Sequence, residues 1–116
     1  MNKDQAFAVL NASFACGSDT WVAPEHDRAT YIANKSQQLL GCVIDPVKVT
    51  IQGEMFHYGV HEKLSQSQLR AIAHQDGRWL IYSPDQDVFA LGFGESATRL
   101  TVLGFASGDA LAEWLG

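Results

Sequence analysis

The apolar pattern of this chain predicts an α+β fold, with an antiparallel sheet of about five strands in the order α-α-β-β-α-β-β-β-α and helices packed mainly on one face. Three observations predict it. An amphipathic stripe at helical spacing follows a capping signal at the N-terminus. The last third carries three apolar runs joined by loops too short for parallel crossovers. One of those runs, 87–93, is apolar on both sides, which places it at the centre of a covered sheet. With 116 residues, 12.7 kDa and 47% hydrophobic residues, the chain can bury one core as a single domain, 1–116. No internal repeat, linker or low-complexity tract divides it.

The elements follow in order. Asn2 with Gln5 three positions on forms a capping box, and Phe7, Leu10 and Phe14 recur at helical spacing until Gly17, predicting a helix over 3–16. Residues 18–26 read as a loop. Asp27 caps a second helix over 28–40, with Ile32, Ser36, Leu39 and Leu40 as a weak stripe and Gly41 as its stop; the competing reading makes Ala29–Ala33 a strand. Val47, Val49 and Ile51 alternate with polar residues as a half-buried strand, and Phe56, Tyr58 and Val60 suggest a second. Ser65 with Gln68 resembles another capping box, opening a helix to about His74 that Asp76-Gly77 ends. Arg78–Ser83, Asp87–Phe93 and Thr98–Phe105 then form an antiparallel meander, with Ser83-Pro84-Asp85-Gln86 as a turn. Ser107 caps a terminal helix, 108–115.

In the strand 87–93, Phe89, Leu91 and Phe93 lie on one face and Val88, Ala90 and Gly92 on the other. Helices, a curled sheet or a second subunit must cover the far face, so a homodimer is one of the expected solutions.

Charge removes several function classes. Eight Lys and Arg against thirteen Asp and Glu give −5, and the basic residues are scattered singly, so we expect no nucleic-acid partner. The excess sits late: 1–73 carries seven acids and six bases, whereas 74–116 carries six acids and two bases. No segment approaches the ~20 apolar residues of a membrane span. With no signal-peptide pattern at Met1–Gln5 and only two cysteines, Cys16 and Cys42, both read as small buried hydrophobes, a cytoplasmic location is expected.

Four patterns resemble reactive or ligand sites, and each has a plainer reading. Gly92-Phe93-Gly94-Glu95-Ser96-Ala97 fits GxGxxG/A, but a strand rather than a helix follows, so it reads as a hairpin loop. His57 and His61 could share a metal on a helix, but in a strand they stand about 13 Å apart. Cys16-Gly17-Ser18 closes a helix, where no N-terminal dipole activates a thiol. Asp85 and Asp87 flank a turn without the remaining ligands of a calcium loop. No catalytic, metal or cofactor residues are therefore assigned.

Two functions from different classes remain. The leading expectation is a non-catalytic binding module, an acidic inhibitor or immunity-type protein that engages a basic protein partner. Asp76, Asp85, Asp87 and Glu95 would steer that partner, with Trp79 or Tyr82 as aromatic anchor. The alternative is a small-ligand-binding domain or small enzyme with an apolar pocket between sheet and helices, using His57, Tyr58, His61, Glu62 and Trp79.

Overall fold

The computed structural model describes residues 1–116. Four helices and six strands follow in the order α1 (Lys3–Ala15), α2 (Arg28–Leu40), β1 (Val43–Lys48), β2 (Ile51–Glu54), α3 (Val60–Ser65), β3 (Arg70–Gln75), β4 (Arg78–Ser83), β5 (Val88–Phe93), β6 (Leu100–Val102) and α4 (Ala110–Leu115). The strands form one sheet, ordered β1-β3-β4-β5-β6-β2. All neighbours are antiparallel except β2 and β6, which run parallel. The fold is thus α+β as expected, but with six strands and a mixed sheet.

Local chemistry explains the elements that match. Asn2 and Gln5 exchange side-chain and backbone hydrogen bonds of 2.7 and 2.9 Å, closing the capping box of α1. The Asp27 carboxylate accepts the Thr30 amide and hydroxyl, which starts α2 and holds the Asp27 carboxyl below its ordinary range. Asp76 and Gly77 both have positive φ (49° and 78°) and join β3 to β4 as a two-residue hairpin turn. They stop no helix. The meander β4-β5-β6 pairs as expected, although β6 is only Leu100–Val102. The terminal helix starts at Ala110, capped by Asp109 rather than Ser107.

Three expectations between residues 47 and 75 are corrected. The run Val47–Ile51 is not one strand, because Lys48 closes β1 and Ile51 opens β2. The segment from Met55 to Gly59 is not a strand: the Glu54 carboxylate accepts the Gly59 and His61 amides at 3.1 and 3.0 Å, turning the chain into α3. Residues 70–75, expected to be helical, form β3, an inner strand between β1 and β4. Its alanines fit both sides of the sheet. Ala71 lies on one face, while a bulge sends the consecutive Ile72 and Ala73 to the other.

The two-residue link Val49-Thr50 constrains the whole sheet. It joins β1 and β2, which sit at opposite edges. Three Cα–Cα steps span at most about 11 Å, so the sheet curls until its two edges nearly meet at this corner. Thr50 seals the seam, its amide donating to Ala97 O and its carbonyl accepting from Leu100, both at 3.0 Å.

The curl produces two cores. On the convex face, Ala6 and Leu10 of α1, Leu39 of α2 and Leu111 and Trp114 of α4 pack on Ile72, Leu80, Phe89 and Leu91. On the concave face, Val60 and Leu64 of α3 join Ile51, Leu69, Trp79, Ile81, Ala90, Leu100 and Val102. Helices cover one side and the curled sheet with α3 covers the other, so the concave face offers no surface to a second subunit. The small residues matter here: a Cβ at Gly92 would meet the Ile81 side chain at 3.0 Å.

Leu80 and Ile81 are adjacent and buried on opposite faces. We predict that Leu80→Ala and Ile81→Ala each cost about 2–5 kcal/mol in denaturant unfolding. A cost below about 1 kcal/mol for Ile81→Ala alone is incompatible with a packed concave core.

Candidate functional site

The sequence-derived acids do not share one surface. Asp76 lies in the β3–β4 turn and Glu95 follows β5 at the same end of the sheet, where the Gly94 amide donates to Gly77 O. Asp85 and Asp87 occupy the β4–β5 turn at the opposite end, a full strand length away, roughly 17 Å at 3.3 Å per residue. The two aromatic anchors point inward. Trp79 is buried in the concave core, donates its indole N–H to Gly94 O at 2.9 Å and stacks on His74 with ring centroids 3.9 Å apart. Tyr82 is buried in the convex core and donates its hydroxyl to Asp87 at 2.8 Å.

The alternative set does not converge either. His57, Tyr58 and Glu62 are exposed and His61 half-buried around the start of α3, while Trp79 lies inside. None of these five lines any of the four principal cavities. Their nearest structural role belongs to Glu54, whose carboxyl is held below its ordinary range chiefly by the His61 amide, with the His57 charge a smaller contribution. The cysteines differ from expectation as well: Cys16 is exposed, because α1 ends in solvent, and Cys42 is half-buried between α2 and β1.

A different grouping forms at the β4–β5 end. A cavity of about 620 Å³ opens between the end of α1, the following loop, the β4–β5 turn and the start of α4. Its lining includes Val9 and Phe89 and three acidic residues, Asp19, Asp87 and Asp109, with no Lys or Arg. Asp85 stands on the same turn as Asp87 and borders a neighbouring cavity with Tyr82 and Arg70. Of the four acids Asp19, Asp85, Asp87 and Asp109, only Asp85 and Asp87 were singled out from sequence.

Asp109 organises the site. Its carboxylate caps α4 through the Ala112 amide (3.1 Å) and accepts the Ser18 hydroxyl (2.8 Å) and the Asp19 amide (2.7 Å). Arg28 holds the same loop from α2 by donating to the carbonyls of Ser18 and Thr20. From this pinned loop Trp21 projects with 78% of its surface exposed. Ser13 also ties α1 to α4, donating to Gly108 O at 2.7 Å and accepting from the Ala110 amide at 2.9 Å. The negative field extends into α4: burial pushes the Glu113 carboxyl up, the Asp109 charge adds to this, and the Ser107 hydroxyl opposes it. Asp109 was legible as an acid before an apolar run; its reach across 90 residues to Asp19 was not.

Asp87 keeps a left-handed backbone, φ 52°, which Asp and Asn tolerate better than other side chains. Its partner Tyr82 is pushed up to about 12 from an ordinary 10.0, first by burial and then by the Asp87 hydrogen bond and charge. The phenol therefore stays protonated, as a donor, to a higher pH than a free tyrosine. No family model matches the chain, and no curated protein and no solved structure matches it.

Two predictions follow from this geometry. Because the folded Tyr82 pKa lies above the unfolded value, its contribution to stability is complete below pH 10 and is lost as pH rises toward about 12. Equilibrium unfolding should show that decline in the wild type and a smaller one in Tyr82→Phe; equal slopes refute the assignment. Asp109→Ala should cost about 1–2 kcal/mol through the lost cap alone. It should also raise amide exchange at Asp19 and Thr20, and unchanged exchange there rules out the pinning role.

Proposed function

We propose that this protein is a small non-catalytic binding module that engages a basic protein partner, in the manner of an acidic inhibitor or immunity-type protein. The observation that carries the reading is the convergence of Asp19, Asp87 and Asp109 on one cavity without a basic residue in its walls. Asp85 extends the acidic surface along the same turn. Within the earlier acidic set, Asp85 and Asp87 are the steering pair, while Asp76 and Glu95 lie at the far end of the sheet and act on a partner only through the long-range field.

Carboxylates set beside apolar walls favour a Lys or Arg side chain, whose alkyl stem packs on Val9 and Ala12 while its head meets the charges. Trp21 takes the anchoring role expected of Trp79 or Tyr82. It is exposed, and its loop is held by Asp109 and Arg28, so little conformational freedom is lost on binding.

The test uses a hexa-arginine peptide and amide NMR spectra at low salt. Shifts should concentrate at residues 16–21, 85–89 and 108–110. They should weaken in the double variant Asp19→Asn with Asp87→Asn, which retains the left-handed turn, and fade toward about 0.5 M salt. Shifts centred on Asp76 and Glu95, or unaffected by the double variant, overturn this site.

A further inference from the structure

We propose that the chain forms a two-fold homodimer through an aromatic groove at the other end of the molecule, where Phe56, Tyr58 and Phe105 of each copy pack against those of its partner. This surface is separate from the acidic cavity, and the two readings stand independently.

α1, α2 and α4 pack on the convex face, and a cavity of about 610 Å³ lies between Leu115 and the strands beside it. Leu91, Phe93 and Leu103 form its floor, and Phe56 and Phe105 its far wall. Phe56, Phe105 and Tyr58 remain 46%, 46% and 68% exposed, with Met55 beside them at 55%.

The three rings already touch, with centroids 5.3, 5.8 and 6.2 Å apart. A cation or small ligand has no room among them, so they present a continuous aromatic surface rather than a cage. The surface is also fixed. The Phe56 amide donates to Leu103 O at 3.0 Å, and Gly104 packs so closely that a Cβ there would lie 2.7 Å from Phe56 O. With this backbone held and the rings packed on one another, less freedom is lost on association.

Size and charge select the occupant. The exposed parts of the three rings amount to roughly 250–400 Å², taking 150–250 Å² per aromatic side chain. Met55 and the half-buried Phe93, Leu103 and Leu115 bring the patch to roughly 500 Å². That is the apolar centre expected of an interface of about 800 Å² per partner once a polar rim is added. The rim carries both signs. Arg78, held by the Trp114 carbonyl and over its ring at 4.8 Å, lines the groove, and Asp76 and Glu95 stand at the same end. A two-fold contact that brings Arg78 of one copy to Asp76 or Glu95 of the other uses that pair twice. A net charge of −5 opposes adsorption to an anionic bilayer and also repels a second copy, so the aromatic contact must outweigh that repulsion and the dimer should tighten with added salt.

Sedimentation equilibrium of the full chain from about 1 to 200 µM tests this. The wild type should approach twice the 12.7 kDa protomer mass. Tyr58→Asp and Phe105→Asp should each raise the dimer dissociation constant at least about tenfold, with far-UV circular dichroism unchanged. Tyr58→Ser alters the most exposed ring and supplies a milder substitution should an aspartate perturb folding. Asp87→Asn, at the opposite end, should leave the dimer intact. A wild type that stays at protomer mass across the range overturns the proposal, whether or not the groove takes up vesicles or an apolar peptide. A dimer that survives both Tyr58 variants overturns it equally and points to another contact, such as the free edge of β2.

Discussion

Strands β4 and β5 carry apolar side chains on both faces, and such strands are stable only where both faces are kept from water. Leu80, Phe89 and Leu91 look toward the helices, while Ile81, Ala90 and Gly92 look the other way. At about 25 cal/mol per Å² of apolar surface, leaving either side wet forfeits several kcal/mol. That loss is comparable to the entire stability of a domain this small. The rest of the chain is arranged to supply two covers from few residues. Three helices provide one. The second is obtained mostly by bending the sheet, with the six-residue α3 closing the hollow.

Bending is possible because the concave side is lined by compact residues where it must be tight. Ala71, Ala90, Ala97 and Gly92 leave room for Trp79 and Ile81 to fill the interior. The two-residue connection between β1 and β2 then acts as a tether. It brings the two edges of the six-stranded sheet to the same corner, and it gives β2 its parallel partner β6. The outer strands remain exposed as edges, and β1 carries Pro46, which cannot donate a ladder hydrogen bond. An open but strongly coiled sheet thus obtains much of the burial of a barrel without closing its ladder.

This division explains which parts of the fold could be read from the residues alone. Helices α1 and α2 and the meander were legible because their signals are local: caps at Asn2 and Asp27, alternation in β4 and β5, and short turns. Residues 65–75 were not. Ser65 and Gln68 resemble a cap, and Leu69 and Ile72 fit a helical stripe, yet the small side chains of Ala71 and Ala73 are what an inner strand between two cores needs. Burial on two sides outweighed a local preference that tertiary context commonly overrides. The site shows the same limit. Asp85 and Asp87 could be found as neighbours in a turn, but Asp19 and Asp109 join them only because α1 and α4 are packed together. Trp79 and Tyr82 were natural anchors by residue type, and the two cores claimed them both.

The helix α4 connects these two consequences. Its first turn is fixed by Asp109, which also shapes the acidic cavity, and its last residues form one wall of the aromatic groove. The polar end of the molecule is polar because helix caps and turns collect there, with carboxylates serving as acceptors. The apolar end is apolar because Phe56, Phe93, Leu103 and Phe105 gather there beside Leu115. A dimer joined through the groove would direct both acidic cavities away from the two-fold axis. Each would remain free to meet a basic partner, and the two negative fields would be held apart by the body of each protomer. Two such sites on one rigid assembly would raise the effective concentration of the second for any partner able to span them, without adding a contact to either.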